Sequence, residues 1–291
     1  VAARWAMLEP SNSQECRDMA KAAYDISEQF GVPVLLRSTT RVCHSKSIVE
    51  CGERREAEPI AYQKNPQKRV IVPANARMLR VQVEERMQAL RQYTETCPFN
   101  YIVEGGRIGV VTSGVCYHYA REVFGDRATY LKLGFTNPLP DNLLKQFARK
   151  VDVIYVLEEN DPYLENWIKA TGLPCKGKEV FPSWGEMTPD VIRHALGQGE
   201  LPVMAYDRDK MVPRPPTLCA GCPHRGFFYE LGKKKNVVVS GDIGCYTLGY
   251  APPYNAMDTS VCMGSAFSVG HGMQKAFDLL GEDKRVVAVM G

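Results

Sequence analysis

Two cysteines separated by two residues, Cys219 and Cys222, stand just ahead of a histidine, His224. Because two intervening residues allow a tight turn, both thiolates can point at one metal ion or iron–sulfur cluster. A structural zinc site would need a second pair at similar spacing, and neither Cys245 nor Cys262 belongs to one. The motif therefore indicates a metal or cluster site, with a pair of buried or redox-active thiols as the alternative.

A glycine-containing turn follows an apolar strand predicted over residues 237–240. It carries Gly241, Asp242, Gly244 and Cys245. Glycine permits positive φ and a close approach of the backbone to a ligand, and ligands of open α/β sheets bind at the carboxyl ends of strands. We therefore predict that these four residues contact a cofactor, with an ordinary strand-to-loop turn as the alternative.

Small residues open the next predicted helix. Met263, Gly264 and Ser265 stand in its first turn, where backbone N–H groups lack intrahelical acceptors and suit a phosphate group. An apolar strand over 285–290 then ends at Gly291, where a diphosphate-binding loop is expected to begin. These residues complete the predicted cofactor site, although close helix packing would also account for the small side chains.

Strands and helices alternate in the second part of the chain, which predicts parallel sheets with right-handed crossovers. The predicted order is strand 107–111, helix 115–124, strand 129–133, helix 141–150, strand 151–157, helix 162–171, helix 226–232, strand 237–240, helix 260–280 and strand 285–290. A stretch rich in proline and glycine, 172–217, separates two such blocks. The residues singled out above all belong to the second block.

The first hundred residues follow a less regular pattern. Helical spacing of apolar residues predicts two helices, and proline and charged residues predict the connections. The expected elements are helix 11–30 with a capping box of Ser11 and Gln14, a short buried strand 34–36, a polar loop 37–48, a linker 49–74 and helix 75–96.

A few polar residues outside the second block are weaker candidates. Arg37, Arg41 and His44 could face a substrate, but a solvated loop is the simpler interpretation. Glu158 and Glu159 end a predicted strand, where a helix N-cap or a surface salt bridge is the default interpretation.

Composition and charge exclude several classes. A net charge of +3 on 291 residues gives no argument for nucleic acid or an anionic membrane as a partner. No run of about 18 apolar residues is present, and the first residues lack the pattern of a signal peptide. Most of the ten cysteines are isolated, so no disulfide framework is expected. A cytoplasmic protein is expected, and both ends of the chain resemble cuts within something longer.

Taken together and in order, the motifs resemble those of a known family. The runs TLCAGCPHRGFFYEL, SGDIGCYTLGY, DTSVCMGSAFSVGHG and RVVAVMG resemble the large (alpha) subunit of indolepyruvate ferredoxin oxidoreductase, within the 2-oxoacid:ferredoxin oxidoreductase superfamily. MLEPSNSQECRDM, PVLLRSTTRVCHS, TSGVCYHYAREVF, LKLGFTNPLPDNLLKQFA and VLEENDPYLENWI are similar to that family in the same order. The resemblance covers essentially the whole chain.

The resemblance implies an α/β fold in which fragments of thiamine-diphosphate-binding folds flank a Rossmann-like domain of the transketolase C-terminal type. The implied domains are the end of the pyrimidine-binding domain at 1–48, a linker and helix at 49–100, the Rossmann-like middle domain at 101–205 and the first half of the diphosphate-binding domain at 206–291.

The resemblance also implies the cofactors thiamine diphosphate, Mg²⁺ and [4Fe–4S] clusters. Cys219, Cys222 and Cys245 match three of the four cysteines that hold a cluster beside the thiamine in related pyruvate enzymes. The Mg²⁺ ligands are expected after Gly291, the catalytic glutamate before Val1, and the ferredoxin-like module outside the chain. No catalytic residue is therefore expected within it, and the chain alone is expected to be inactive.

The implied reaction is the oxidative decarboxylation of an arylpyruvate such as indolepyruvate to an aryl-acetyl-CoA. Ferredoxin would accept the electrons, coenzyme A the acyl group, and a small beta subunit would complete the enzyme. Two alternatives stay open: a related enzyme acting on pyruvate or 2-oxoglutarate, and a non-catalytic scaffold whose CxxC motif holds zinc.

Overall fold

A computed structural model describes residues 4–54, 56, 61–199, 205 and 207–290. The chain divides into two compact units, unit 1 (Val1–Val203) and unit 2 (Met204–Gly291). Each unit contains helices packed against a sheet with parallel strands. The predicted α/β class is therefore confirmed.

The elements of unit 1 are, in chain order, β1 (Ala6–Leu8), α1 (Ser13–Phe30), β2 (Val34–Leu36), α2 (Thr40–His44), α3 (Pro66–Arg69), α4 (Pro73–Thr94), β3 (Asn100–Val103), β4 (Ile108–Ser113), α5 (Cys116–Phe124), β5 (Ala128–Leu133), β6 (Phe135–Asn137), α6 (Asp141–Ala148), β7 (Val153–Leu157), α7 (Tyr163–Ala170) and α8 (Pro189–Ala195). Glycine ends α1 and α5: Gly31 and Gly125 both have positive φ, which side chains disfavour.

Unit 1 has two sheets. The larger has the strand order β3-β5-β4-β7, with β4 parallel to both β5 and β7 and with β3 antiparallel to β5. Helices α5 and α8 cover one face of this sheet, and α6 and α7 cover the other. All six residues of β5 are buried, as expected for a parallel sheet covered on both faces. The smaller sheet has the order β2-β1-β6 and packs against α1 and α4.

An ion pair buried within unit 1 connects α1 to the larger sheet. The Nζ of Lys132, a residue of β5 with no exposed surface, donates to Oε1 of Glu15 over 2.6 Å. The other carboxylate oxygen of Glu15 accepts from the backbone N–H and the hydroxyl of Ser11. Burial lowers the pKa of Lys132, and the Glu15 carboxylate opposes that shift. Both charged groups are therefore satisfied by partners that belong to different elements.

Unit 2 contains α9 (Pro223–Leu231), β8 (Val237–Gly241), a 3₁₀ segment (Cys245–Tyr250), β9 (Thr259–Ser260), α10 (Ala266–Leu280) and β10 (Arg285–Val289). Its sheet has the order β10-β8-β9, and all pairings are parallel. Its small core includes Phe228 of α9, which has no exposed surface, together with Val239 and Val289.

The beginning of α1 differs from the prediction. The N-cap is Asn12 rather than Ser11, and its side chain accepts from the backbone N–H of Glu15. The expected capping box of Ser11 and Gln14 is therefore wrong by one residue. The carboxylate of Glu15 reaches back to Ser11 instead, while the side chain of Gln14 pairs with the backbone of Glu50.

Three further predictions are corrected. The polar loop 37–48 contains α2. The strand 34–36 is not buried, because β2 lies at the edge of its sheet and Leu35 and Leu36 are exposed. The helix expected from about 260 begins at Ala266, since Gly264 has a φ of +85° that no right-handed helix accommodates.

The domain assignments implied by the resemblance stay predictions. Strands β1 and β2, from the predicted domain 1–48, share a sheet with β6, from the predicted domain 101–205. The expectation of a cytoplasmic location also stays a prediction. None of the helices within the described ranges is long and apolar enough to cross a membrane.

Candidate functional site

The carboxyl edge of the unit 2 sheet is where the predicted cofactor residues lie. Strands β8 and β10 are parallel and in register, with Val289 opposite Gly241, so both end at the same edge. Helix α10 begins there as well, because the hydroxyl of Ser240 donates to the carbonyl of Ala266 over 2.9 Å. Gly291, the last predicted cofactor residue, lies outside the described residues. This edge therefore brings two strand ends and one helix N-terminus together.

Asp242 connects the two loops at this edge. Its side chain is almost fully buried, at 1% exposure. The backbone N–H of Gly264 donates to both carboxylate oxygens, over 2.8 and 2.7 Å, and the N–H of Ile243 donates to one of them over 2.8 Å. With both oxygens engaged by backbone donors, Asp242 fits a role in holding the loops and does not fit that of a metal ligand.

The segment just before α10 is a turn closed by its own side chain. The Cys262 N–H donates to the hydroxyl of Ser265, and that hydroxyl donates to the carbonyl of Cys262. Gly264 needs its positive φ here, and a Cβ at that position would meet nothing within 4 Å. The N–H groups of Gly264 and Ser265 are engaged by Asp242 and by the carbonyl of Cys262. The N–H groups of Ala266 and Phe267, in the first turn of this 15-residue helix, are the ones that fit a diphosphate.

Gly241 and Gly244 serve packing rather than a left-handed turn. Neither lies in the left-handed region, since the φ of 169° at Gly244 is extended backbone. A Cβ on Gly241 would lie 2.2 Å from the sulfur of Met257, and a Cβ on Gly244 would lie 2.6 Å from the ring of Tyr246. The absence of a side chain at both positions is explained by the packing of Met257 and Tyr246. The assignment of the two glycines as cofactor contacts therefore stays a prediction.

Several residues that the sequence did not single out complete the loop. The hydroxyl of Thr247 accepts from the N–H of Gly244 and donates to the carbonyl of Asp242, which also accepts from the hydroxyl of Ser260. Hydroxyl residues in loops are too common for their types alone to mark them. Their spacing from Asp242 becomes informative only once the loop path is known.

The cysteine pair and Cys245 lie on neighbouring segments. Cys222 is the N-cap of α9, and its N–H donates to the carbonyl of Cys219 over 3.1 Å. The ring of His224 contacts that of Tyr246, the residue after Cys245, with ring centroids 5.8 Å apart. Cys219 and Cys245 are exposed, and Cys222 is half-buried. The segments that carry the three cysteines are therefore in contact, and two of the three thiols are exposed.

A preassembled metal site is not present in the described part of the chain: no three His, Cys, Asp or Glu side chains are grouped to hold an ion. The thiols of Cys219, Cys222 and Cys245 fit a cluster only if they move together from their present positions. Their role as cluster ligands therefore stays a prediction, as does the alternative of a zinc-holding CxxC.

The ten cysteines are all free, and we expect their rates of alkylation to separate the buried thiols from the exposed ones. Burial raises the pKa of Cys97 and Cys116, and the thiolate is the reactive form. We expect iodoacetamide at pH 8 to label the exposed Cys43, Cys219 and Cys245 rapidly, but Cys97 and Cys116 only after unfolding. Peptide mass spectrometry over a time course measures each rate. Labelling of Cys116 as fast as that of Cys245 would contradict this arrangement of the core.

Replacement of Asp242 by alanine should loosen the turn before α10. A hydrogen bond to a charged group contributes about 1.5–3 kcal/mol, so backbone amides of 262–265 should exchange roughly 10- to 100-fold faster. Asp242→Asn, which keeps one acceptor oxygen, should lie between alanine and the wild type. Peptide-resolved hydrogen exchange measures the effect, and Asp278→Ala, at an exposed carboxylate of α10, is the control. Equal exchange in all four proteins would show that Asp242 does not hold the turn.

Two of the weaker candidates have clear positions. Glu158 follows β7 and accepts from the N–H groups of Leu164 and Glu165, over 2.7 and 3.0 Å. It therefore caps the start of α7, as the default interpretation expected. Burial raises the pKa of Glu158, and these N–H donors oppose the shift. Arg37 is not merely solvated: it pairs with buried Glu9 beside a cleft.

No family model matches the chain. Curated relatives do: indolepyruvate oxidoreductase subunit IorA of Methanothermobacter marburgensis is 35% identical over 98% of this chain and 50% of its own length. The subunits of the same name from Archaeoglobus fulgidus and Pyrococcus horikoshii are 32% and 34% identical, over 100% and 96% of this chain. The chain spans about half the length of the curated relatives it matches.

Among solved structures, 2-oxoglutarate:ferredoxin oxidoreductase from Magnetococcus marinus, with 2-oxoglutarate, coenzyme A and succinyl-CoA bound, covers 66% of this chain and 42% of its own. The TM-score is 0.48 and the sequence identity 16%. A TM-score of that size is too low to assign the fold.

Proposed function

Because the chain belongs to the family of IorA subunits of indolepyruvate oxidoreductase, we propose that it is part of a 2-oxoacid:ferredoxin oxidoreductase that uses thiamine diphosphate. Within this proposal, unit 2 holds the diphosphate and unit 1 contains the Rossmann-like domain. The substrate is an arylpyruvate such as indolepyruvate, coenzyme A takes the acyl group, and ferredoxin and a small beta subunit are the protein partners.

One observation supports the cofactor most directly: the start of α10 lies at the edge where β8 ends. Backbone N–H groups at that helix start attract an anion, and buried Asp242 fixes the loop in front of them. The N–H of Ser265 already donates to the carbonyl of Cys262, so we assign Ala266 and Phe267 as the residues whose N–H groups face the diphosphate. Thiamine diphosphate supplies the nucleophilic carbon and the electron sink that decarboxylation of a 2-oxoacid requires.

Cofactor binding by the full-length protein tests this assignment. Phe267→Pro removes one backbone donor in the first turn of α10, and we expect it to weaken thiamine diphosphate binding at least tenfold in calorimetric titration with Mg²⁺. Gly281→Ala, at the opposite end of α10, is the matched control for helix damage. Unchanged binding by the Phe267 variant would remove the helix start from the cofactor site.

Iron–sulfur ligation by Cys219, Cys222 and Cys245 is proposed from the same family resemblance. After anaerobic reconstitution with iron and sulfide, we expect these three thiols to become resistant to alkylation, while exposed Cys262 stays reactive as an internal control. Iron with acid-labile sulfide in the purified protein supports the enzyme. Zinc without sulfide supports the alternative, a zinc-holding scaffold.

Substrate choice separates the remaining alternatives within the enzyme class. The full-length protein, purified with its accompanying subunit, should reduce ferredoxin when given indolepyruvate, coenzyme A and thiamine diphosphate. A higher kcat/KM with pyruvate or 2-oxoglutarate would keep the reaction class and replace the substrate. Ferredoxin reduction that is independent of thiamine diphosphate would contradict the proposed function itself.

A further inference from the structure

A second crevice lies in unit 1, at the carboxyl ends of β4 and β7. Strand β4 lies between β5 and β7 in the sheet. The chain continues from β4 to β5, toward one edge of the sheet. After β7 it continues toward the other edge, where Lys176 forms a bridge to Tyr155 of β7. Adjacent parallel strands whose connections leave in opposite directions form a topological switch point, which is where open α/β sheets bind ligands. The loops after these two strands line a cavity of about 350 Å³.

A buried carboxylate lines this inner cavity. The Glu9 side chain is 7% exposed and accepts from Arg37 over 3.0 Å and from the hydroxyl of Ser113 over 2.9 Å. An ionised carboxylate has about four acceptor positions, so two remain for a ligand. Asn160, which also lines the cavity, has a φ of +59°, a conformation that non-glycine residues adopt at a cost and that clusters at ligand sites.

A wider cleft of about 760 Å³ shares Arg37, Thr39, Glu159 and Asn160 with the inner cavity. Its lining adds the guanidinium of Arg41 and the imidazole of His44. The Oγ1 of Thr39, a residue that lines both spaces, is buried and has no hydrogen-bond partner in the described structure. One continuous cleft therefore has acceptor groups on the inside and the Arg41 guanidinium on the outside.

The remaining charges around the cleft leave its cationic end available. Glu158 is occupied in capping α7. Arg41 pairs with Glu186, but both side chains are exposed and such pairs contribute little, so a phosphate can displace the carboxylate. Asp161 adds negative charge to the inner cavity, and Glu159 lines both spaces, which favours a ligand that donates hydrogen bonds on the inside.

We propose that this cleft binds a phosphorylated pentose, free or as part of a nucleotide. Vicinal hydroxyls of the sugar donate to Glu9 and contact Thr39, in the way that acidic residues bind ribose at other switch points. The phosphate lies against Arg41 and His44, since guanidinium groups bind phosphate through charge-assisted hydrogen bonds. The inner volume is within the range of small-molecule sites. The inference depends on unit 1 alone and is independent of the cofactor assigned to unit 2.

Calorimetric titration of the full-length protein tests the inference with four probes: ribose 5-phosphate, adenosine 5′-monophosphate, adenosine and inorganic phosphate. We expect both phosphorylated sugars to bind, and to protect residues 37–44 and 158–161 from hydrogen exchange. Equal affinities for ribose 5-phosphate and adenosine 5′-monophosphate would indicate that the cleft recognises the sugar phosphate alone. A higher affinity for adenosine 5′-monophosphate would indicate that it also contacts the base. Binding of inorganic phosphate as tightly as ribose 5-phosphate, or binding of none of the four, would overturn the proposal.

Variants separate binding from folding. Glu9→Gln should weaken ribose 5-phosphate at least tenfold, but it also disturbs a buried ion pair. Thr39→Val removes a hydroxyl that has no partner in the described structure, so it should fold normally and still weaken binding about threefold or more. Arg107→Gln, at an exposed ion pair just before β4, is the matched control. Unchanged affinity in Thr39→Val and Glu9→Gln proteins that are folded would overturn the assignment.

Discussion

Replacement of Glu15 by alanine is expected to lower the free energy of unfolding of unit 1 by about 3–5 kcal/mol, the usual cost of removing one partner of a buried ion pair. Lys132 has no exposed surface, and Glu15 is the only group that it contacts as an ion pair among the described residues. The variant therefore leaves an ammonium group buried without a counter-charge. Denaturant unfolding followed by tryptophan emission measures the effect, because Trp5, Trp167 and Trp184 all belong to unit 1.

The pH dependence of this variant should identify the cause. Burial already lowers the pKa of Lys132 in the presence of Glu15, and the main group that opposes this shift is lost with Glu15. Between the lowered pKa and the unfolded value of about 10.4, the folded state binds fewer protons than the unfolded state. The stability of the variant should therefore rise with pH through that range, and the loss should be complete below it.

Two further variants provide the comparison. Glu15→Leu combined with Lys132→Met should recover much of the loss, since replacement of a whole buried pair by apolar residues is often neutral. Arg107→Ala, which breaks an exposed pair with Asp152, should leave the free energy of unfolding nearly unchanged. A loss below about 1 kcal/mol in Glu15→Ala would show that the pair contributes no more than a surface one.

Replacement of Phe228 by alanine is expected to destabilise unit 2 by about 3–5 kcal/mol, the range measured for large aromatic residues in cores. The Phe228 ring is fully buried in a small core, and it lies so close to Gly249 that a Cβ there would come within 2.8 Å of it. The ring thus supports the contact between α9 and the 3₁₀ segment that carries Cys245. Its loss removes the packing that holds the two cysteine-bearing segments together.

The neighbouring residue offers a matched control. Phe227 is 48% exposed and its ring meets that of Phe228 edge-on, with centroids 5.3 Å apart, so Phe227→Ala should cost about 0.5–1.5 kcal/mol, clearly less than Phe228→Ala. Hydrogen exchange of peptides from β8 and α10 follows unit 2, while peptides from β5 follow unit 1. We expect faster exchange in unit 2 only. Uniformly faster exchange in both units would mean that they do not unfold separately.

Local sequence signals predicted most of the parallel strands. Apolar runs identified β4, β5 and β7 to within one or two residues, and Glu158 was correctly expected as a helix cap. Strands β1 and β6 went unpredicted because three residues are too few to show a period, and because their pairing joins distant segments. Such pairing depends on tertiary context that propensity cannot supply.

The candidate site was located more accurately than it was explained. Residues 241–245 and 263–265 do converge at one edge, as the strand and helix order required. The sequence did not reveal that the Asp242 carboxylate accepts from the N–H of Gly264. Such a contact can be recognised only when the paths of both loops are known. A solvated loop was the simpler interpretation for Arg37 because its partner, the buried carboxylate of Glu9, lies 28 residues earlier in the chain and the sequence does not show that the two meet.

The pairing of β1 with β6 has a consequence for the order in which the chain acquires its structure. The carbonyl of Trp5 accepts from the side chain of Asn137, 132 residues later, so β1 gains its antiparallel neighbour only after β6 has been made. At about 5–20 residues per second, the ribosome takes on the order of ten seconds to supply it. During that interval the apolar face of α1 lacks part of its cover, so the segment around α1 stays exposed to aggregation until β6 has been made. Non-local strand pairing of this kind also slows refolding in vitro.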